Sequence, residues 1–332
     1  MLTKRQNVIE TMKGGNPDRF VNQYEAFQIV FHPYLASNPM PEPGGPEVVN
    51  LWGITSSWPA GFPGAFPVHT PDKIVIKDIT HWKDYVKKPK ATYSDAEWEA
   101  FQKQVEEIDR NEYFVLPFVA PGIFEMTHYL GEIQNTLMNF FEEPEAMKDL
   151  IKYLTEWEVE LAEDICKHIK PDGVFHHDDW GSQRSTFISP EMFEEFILPA
   201  YKDIYGCYKE NGADLIVHHS DSYAATLVPY MIDMGISIWQ GVMTTNDIPA
   251  LIKKYGGQIT FMGGIDSAKI DYEGWTREVI AREVKRACDE NGKYYFIPSA
   301  SQGLAMSTFP GVYEATSEEI DKYSKIYFAE HK

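Results

Sequence analysis

Two short segments concentrate side chains that could do chemistry: His176-His177-Asp178-Asp179 and His218-His219-Ser220-Asp221. Each closes an apolar run of β type, GVF in the first case and DLIV in the second. Alternate side chains of an extended segment share a face, so His177 goes with Asp179 and His219 with Asp221. In each histidine pair one ring should then point into the fold and its neighbour toward the covering helices. Imidazole and carboxylate at alternate positions can bind a metal or hold a proton donor. A single strand-end histidine is usually an ordinary hydrogen-bonded group. Two parallel segments of this composition point to a site. The metal signal is weaker, because no HExxH and no cysteine-rich ligand set accompanies them.

The elements that must position these residues are legible as an alternation. From about residue 112 onward, β-type runs at 113–119, 173–177, 214–219, 236–240, 258–264 and 294–299 alternate with amphipathic helices, and an earlier run lies in 19–27. Continuous apolar runs suit a parallel sheet covered on both faces. In the helix expected over 144–168, Met147, Leu150, Ile151, Leu154, Trp157, Leu161 and Ile165 make one apolar stripe behind Pro144. Ser189 and Pro190 open a second helix that Gly212 ends, a third covers 247–255, and Thr316-Ser317-Glu318-Glu319 reads as the capping box of the last. Repeated strand–helix units predict a single α/β domain over 1–332, a TIM (β/α)8 barrel with its site at the C-terminal strand ends. No GxGxxG follows the first strand, which leaves a dinucleotide fold without its phosphate cradle. The segment 33–71 is rich in Pro and Gly yet holds Trp52, Trp58, Phe62 and Phe66. It reads as an ordered excursion over one end of the barrel, helping to cover a pocket, with an aromatic plug packed on the barrel's outside as the alternative.

Thirty basic against fifty acidic residues give a net charge of −20. Such a chain repels phosphate backbones and anionic membranes, so neither nucleic acid nor membrane is an expected partner. No apolar run is long enough to span a bilayer, the N-terminal residues do not read as a signal peptide, and Cys166, Cys207 and Cys288 form no CxxC pair. Buried free thiols and a cytoplasmic location are the expectation.

Several long stretches, DGVFHHDDWGSQRSTFISPEMFEEFILPAYKDIY, GADLIVHHSDSYAATLVPYMIDMGISIWQG, FMGGIDS and PGIFEMTHYLGEIQNTLMNFFEEPEAMKDLI, resemble in the same order the uroporphyrinogen decarboxylase superfamily. The resemblance implies a TIM barrel and an enzyme, either a decarboxylase or a corrinoid-dependent methyltransferase. The departures are informative. The arginine-rich N-terminal segment of the true decarboxylase corresponds here to DRFVNQYEAFQIVF, where Arg19 is the nearby cation. The His-x-Cys and distant Cys of the thiol-methylating zinc enzymes correspond to His219-Ser220-Asp221 and Ser299-Ala300-Ser301. Thiol activation needs soft ligation, and both thiolates are gone.

What remains resembles the first methyltransferase of O-demethylase systems, which moves the methyl group of a methoxylated aromatic to the cobalt of a separate corrinoid protein. A phenoxide leaving group, with a conjugate acid of pKa about 10, needs a proton or a Lewis acid. The resemblance thus implies His219, Asp221, Asp179 and His177 as the catalytic centre, with His219 and Asp221 as ligands should a zinc ion be bound. Gln183 and Gln240 would orient the substrate oxygen, and Phe27, Trp52, Phe118 and Trp180 would wall an aromatic substrate. HHDDWG lacks the Asp that would make it a corrinoid-binding DxHxxG, so the corrinoid would arrive on a partner protein. A homodimer stays open as an assembly, and so does a barrel that binds a corrinoid or another ligand without catalysis.

Overall fold

A computed structural model describes residues 1–62 and 64–331; Pro63, inside the 33–71 excursion, and Lys332 lie outside the described residues. The strands in chain order are β1 (Phe27–Val30), β2 (Val48–Val49), β3 (Thr55–Ser57), β4 (Phe66–Pro67), β5 (Phe114–Val119), β6 (Gly173–His177), β7 (Leu215–His219), β8 (Ile238–Val242), β9 (Thr260–Ile265) and β10 (Phe296–Ala300). Seven of them form one curled sheet in the order β1-β5-β6-β7-β8-β9-β10. Every neighbouring pair in that sheet is parallel, with helices outside, as a TIM-barrel-like fold requires.

The seam between β10 and β1 is where the structure departs from eight strands. The run expected over 19–27 becomes a strand only at Phe27, because Gln23 takes a left-handed turn at φ 50°. Gln23 donates its backbone N–H to the Pro298 carbonyl (3.3 Å), and its Oε1 accepts from the Ala300 N–H (3.3 Å). Proline brings no N–H to this edge of β10, so a regular ladder cannot run there and one side chain bridges the gap instead.

Inward residues alternate along each strand. Leu116, Phe175, Val217, Ile238, Met262 and Ile297 fill the middle of the barrel and are all buried. The helix Lys4–Lys13, opened by a Thr3 capping box, closes the bottom. It inserts Val8 into the interior cluster and is tied to the strand N-termini by bonds from Arg5 N to the Glu112 carbonyl and from Tyr295 N to the Thr11 carbonyl. The outer helix Pro144–Ile169 buries the whole stripe read from the sequence. The second expected helix is a turn at Pro190–Met192, a π turn at Phe193–Ile197 and a helix at Leu198–Glu210. Pro199 cannot donate within that run, and the wider turn before it accommodates the loss.

Two expectations need correction. The last helix spans Val312–Glu330 and starts at Gly311; Thr316 lies inside it, donating its hydroxyl to the Val312 carbonyl (2.8 Å). In the described residues of the excursion, the aromatic anchor faces the outside of the barrel rather than its mouth. Trp52 is buried edge-on against Trp157 (5.0 Å between rings) and donates its indole N–H to the Tyr34 hydroxyl (3.0 Å). The rest forms the helix Pro33–Ser37 and the small antiparallel sheet β2-β3-β4. The three cysteines are free and buried, and no helix of the described residues is long and apolar enough to cross a membrane.

Candidate active site at the strand ends

The alternation predicted for the histidine pairs is present. His176 and His218 point outward, where Nε2 of His176 meets Glu158 at 2.5 Å and Nδ1 of His218 meets the Tyr205 hydroxyl at 2.6 Å. Both are fully buried, and burial pushes His218 well below the usual histidine range, so that pair is structural. His177 and His219 are the inward pair. They are register partners across β6 and β7, and their rings stack at 4.5 Å.

Asp178 explains how the next element is aimed. Its carboxylate accepts from the backbone N–H of Phe124 (3.0 Å) and Glu125 (2.8 Å), from the Tyr201 hydroxyl (2.5 Å) and from the Trp180 indole (2.9 Å). Two of those donors are orphan amides at the start of the helix Ile123–Gly131, so a strand-end acid holds that helix N-terminus against the barrel. Gly122 allows the approach, since a Cβ there would sit 2.4 Å from both the Asp178 Cβ and the Tyr201 hydroxyl. The helix so placed carries Glu125 into the site, where its Oε2 meets His177 Nδ1 at 2.8 Å and its Oε1 accepts from the Tyr129 hydroxyl at 3.2 Å.

His219 is fixed from the other side. Its Nδ1 bonds to Oε1 of Gln240, whose Nε2 donates to the Gln302 carbonyl (3.1 Å). A carbonyl only accepts, so the Gln240 amide is oriented and its oxygen must accept Nδ1–H of His219. The Nε2 lone pair of His219 then faces the interior, 3.9 Å from Asp179 Oδ1. Gly241 follows Gln240 at φ 89° where the β8–β9 register shifts, and a Cβ there would press on the His219 ring at 3.1 Å. Asp221 donates its backbone N–H to Asp179 Oδ1 (3.0 Å).

The charges are unevenly placed. Burial pulls His177 down, but Glu125 and Asp179 outweigh it and raise it to about 10. Burial and the His177 charge lower His219 to about 4. Burial and the Asp179 charge raise Asp221 to about 8, and burial raises Glu125 against the pull of His177. At neutral pH, with no cation on the cluster, His177 and Asp221 therefore both carry protons while His219 is a neutral base. Such spread is typical of functional sites.

Ligating atoms of His177, Asp179 and His219 all lie within 4.8 Å of one another, so these three could hold a metal ion. Of the wall residues inferred from sequence, Phe118 belongs here, 5.9 Å from Phe175, whose ring is 6.4 Å from His219. The others are placed elsewhere. Phe27 begins β1 rather than ending a strand, and pairs with Phe114 at the opposite end of the barrel. Trp52 is the external plug. Trp180 is stacked on the outward His218 at 4.0 Å, and Gln183 lies exposed in a loop. Sequence reasoning missed Glu125, Tyr129 and Gln302. The one available signal was a lone acid in the apolar first turn of a helix that follows a strand end.

Fold and cluster together define a TIM-barrel-like protein with a histidine–carboxylate centre at the C-terminal strand ends. The chain belongs to the uroporphyrinogen decarboxylase (URO-D) family, whose model matches residues 76–323. Among solved structures it is similar to a methyltransferase from Methanosarcina mazei, at 13% identity over 97% of this chain and 99% of that one, with a TM-score of 0.65. That likeness is one of fold. No curated protein matches the sequence.

Proposed function

We propose that the protein is a methyltransferase that takes the methyl group of a methoxylated aromatic and passes it to the cobalt(I) of a separate corrinoid protein. The observation that carries this reading is the donor set at the strand ends, imidazoles and carboxylates beside Phe118 and Phe175 with no cysteine among them. Family membership supports it, as does a fold shared with a methyltransferase.

The chemistry asks little of the protein beyond alignment and charge control. The new methyl–cobalt bond takes both its electrons from cobalt(I), and the C–O bond breaks with its pair passing to the phenoxide oxygen. That oxygen needs an electrophile as charge develops. The cluster offers protons on Asp221 and His177, or a divalent cation in their place as a Lewis acid. Phe118 presents an apolar face to an aromatic ring, and Gln240, anchored by the Gln302 carbonyl, keeps His219 aimed at the substrate oxygen. A polycarboxylate tetrapyrrole suits the site poorly. Glu125 and Asp179 oppose the cation there, His177, while Arg19 sits far off, bonded to Asp18 (2.6 Å) and the Leu2 carbonyl (3.2 Å).

The test mixes the protein with a methoxyphenol and a reduced corrinoid protein and follows the cobalt(I) absorbance. Loss of cobalt(I) with release of the demethylated phenol is expected, and H219A should abolish it. Unchanged absorbance across several methoxyaromatics, with active corrinoid present, overturns the proposal.

A further inference from the structure

The resemblance to thiol-methylating zinc enzymes would put a metal on His219 and Asp221. The geometry points to a different ligand set: we propose that a divalent transition cation binds at His177 Nε2, Asp179 and His219 Nε2, on three ligands that leave its substrate side open, with Asp221 off the metal. This rests on the proposed function only for its purpose; the binding itself is a property of the folded chain.

Three observations carry it. The ligating atoms of this trio all lie within 4.8 Å of one another, and Asp221 does not join that group. Ligands around 2.0–2.1 Å from one ion stand about 3–3.5 Å apart, so small side-chain rotations close the set. Both imidazoles are also held from behind. His177 gives its Nδ1 to Glu125, and His219 gives its Nδ1 to the Gln240 oxygen, which the Gln302 carbonyl keeps turned that way. Each ring therefore turns Nε2 to the common centre, the outer-ligand arrangement that raises basicity and fixes orientation in metal sites. Finally, the three donors differ in exposure. The His219 side chain is 2% exposed, but those of His177 and Asp179 are 26% and 27% exposed, so a cation here would face the barrel mouth on one side.

The chemical class of ligand follows. Two imidazoles and one carboxylate with open positions suit zinc, iron(II), cobalt(II) or manganese(II), and an oxygen donor from substrate would complete the shell. Asp221, one carboxylate away on the same strand end, is left to meet the substrate oxygen. It is held beside the ligand Asp179 by its own backbone N–H (3.0 Å).

Chelator-treated, dialysed protein is titrated with Zn²⁺ and with Co²⁺ in the calorimeter, with no methyl donor or corrinoid present. One equivalent per chain is expected. H219A and D179N should each weaken binding by about 100-fold or more, E125Q by about 10–100-fold, and D221N by less than threefold. Pulsed EPR of the Cu²⁺-loaded wild type, which needs no variant to fold, should count two coordinated imidazoles. Absence of saturable binding, a single coordinated imidazole, or D221N weakening binding as much as D179N would each overturn the assignment. A protein that binds the ion yet leaves cobalt(I) unmethylated would instead refute the proposed reaction and leave the metal site standing.

Discussion

His177 Nδ1 lies 2.8 Å from a carboxylate oxygen of Glu125, a residue 52 positions earlier that reaches the site from a different element. This pair sets the electrostatics of the strand-end cluster, since the Glu125 charge is the largest of the influences that lift His177 to about 10 against burial. Replacing the carboxylate by an amide keeps the size and removes the charge. In E125Q the imidazole should titrate well below 10, read from the pH dependence of its ring nitrogens by NMR. Methyl transfer should fall by roughly 10–100-fold, as for the loss of an orienting outer group. A His177 titration unmoved by the substitution would show that Glu125 does not govern it.

Asp178 accepts four hydrogen bonds from buried donors, two of them helix N-terminal amides. D178A leaves those donors without a partner in a fully buried place. A loss of at least about 3 kcal/mol is expected, measured by urea unfolding. Because the same carboxylate aims Glu125, the surviving folded protein should also show a weakened metal site. An alanine variant as stable as wild type would remove Asp178 from this role.

Acid should destabilise the protein through buried neutral histidines. Burial lowers His32 to about 4, partly opposed by its 2.9 Å bond to the Phe118 carbonyl, and burial with the nearby His69 lowers His128 to about 4. Unfolded histidine titrates near 6.5, so between 6.5 and 4 the unfolded chain binds more protons. The stability is whole above pH 6.5 and is lost as the pH falls from 6.5 through 4. His32 alone accounts for something on the order of 3 kcal/mol. H32Q, which keeps an amide donor for Phe118, should flatten the dependence of the urea midpoint between pH 7 and 4.5. A slope identical to wild type counts against it.

Trp52 provides a contrast with the site. It packs on Trp157 and Tyr34 outside the barrel, so W52A should cost about 3–5 kcal/mol through the cavity it leaves. Well below its melting temperature the variant should keep the substrate KM of wild type. A raised KM with unchanged stability would return Trp52 to the substrate wall.

The amino-acid sequence by itself determined the parallel strand–helix alternation, because period-2 and period-3.6 patterns are local and proline, glycine and capping residues punctuate them. It also determined that one histidine of each pair faces inward, since alternation along a strand depends only on spacing. Thus His177 with Asp179 and His219 with Asp221 were legible as shared faces, while which face points inward came from the tertiary structure. Strand limits were less legible. Phe27 and Gln23 were misplaced because Gln23 turns left-handed to close a seam that Pro298 denies a ladder, a constraint set some 275 residues away. Only the tertiary structure decided the company the two histidines keep. Glu125 reaches His177 and Gln302 reaches Gln240 behind His219 across long separations, and Trp52 and Trp180 face away from them. Aromatic side chains look alike in sequence whether they wall a pocket or pack behind a sheet, because burial on either side of a strand satisfies the same hydrophobic demand. A carboxylate buried on a neighbouring helix is invisible until the helix is docked, and here Asp178 docks it.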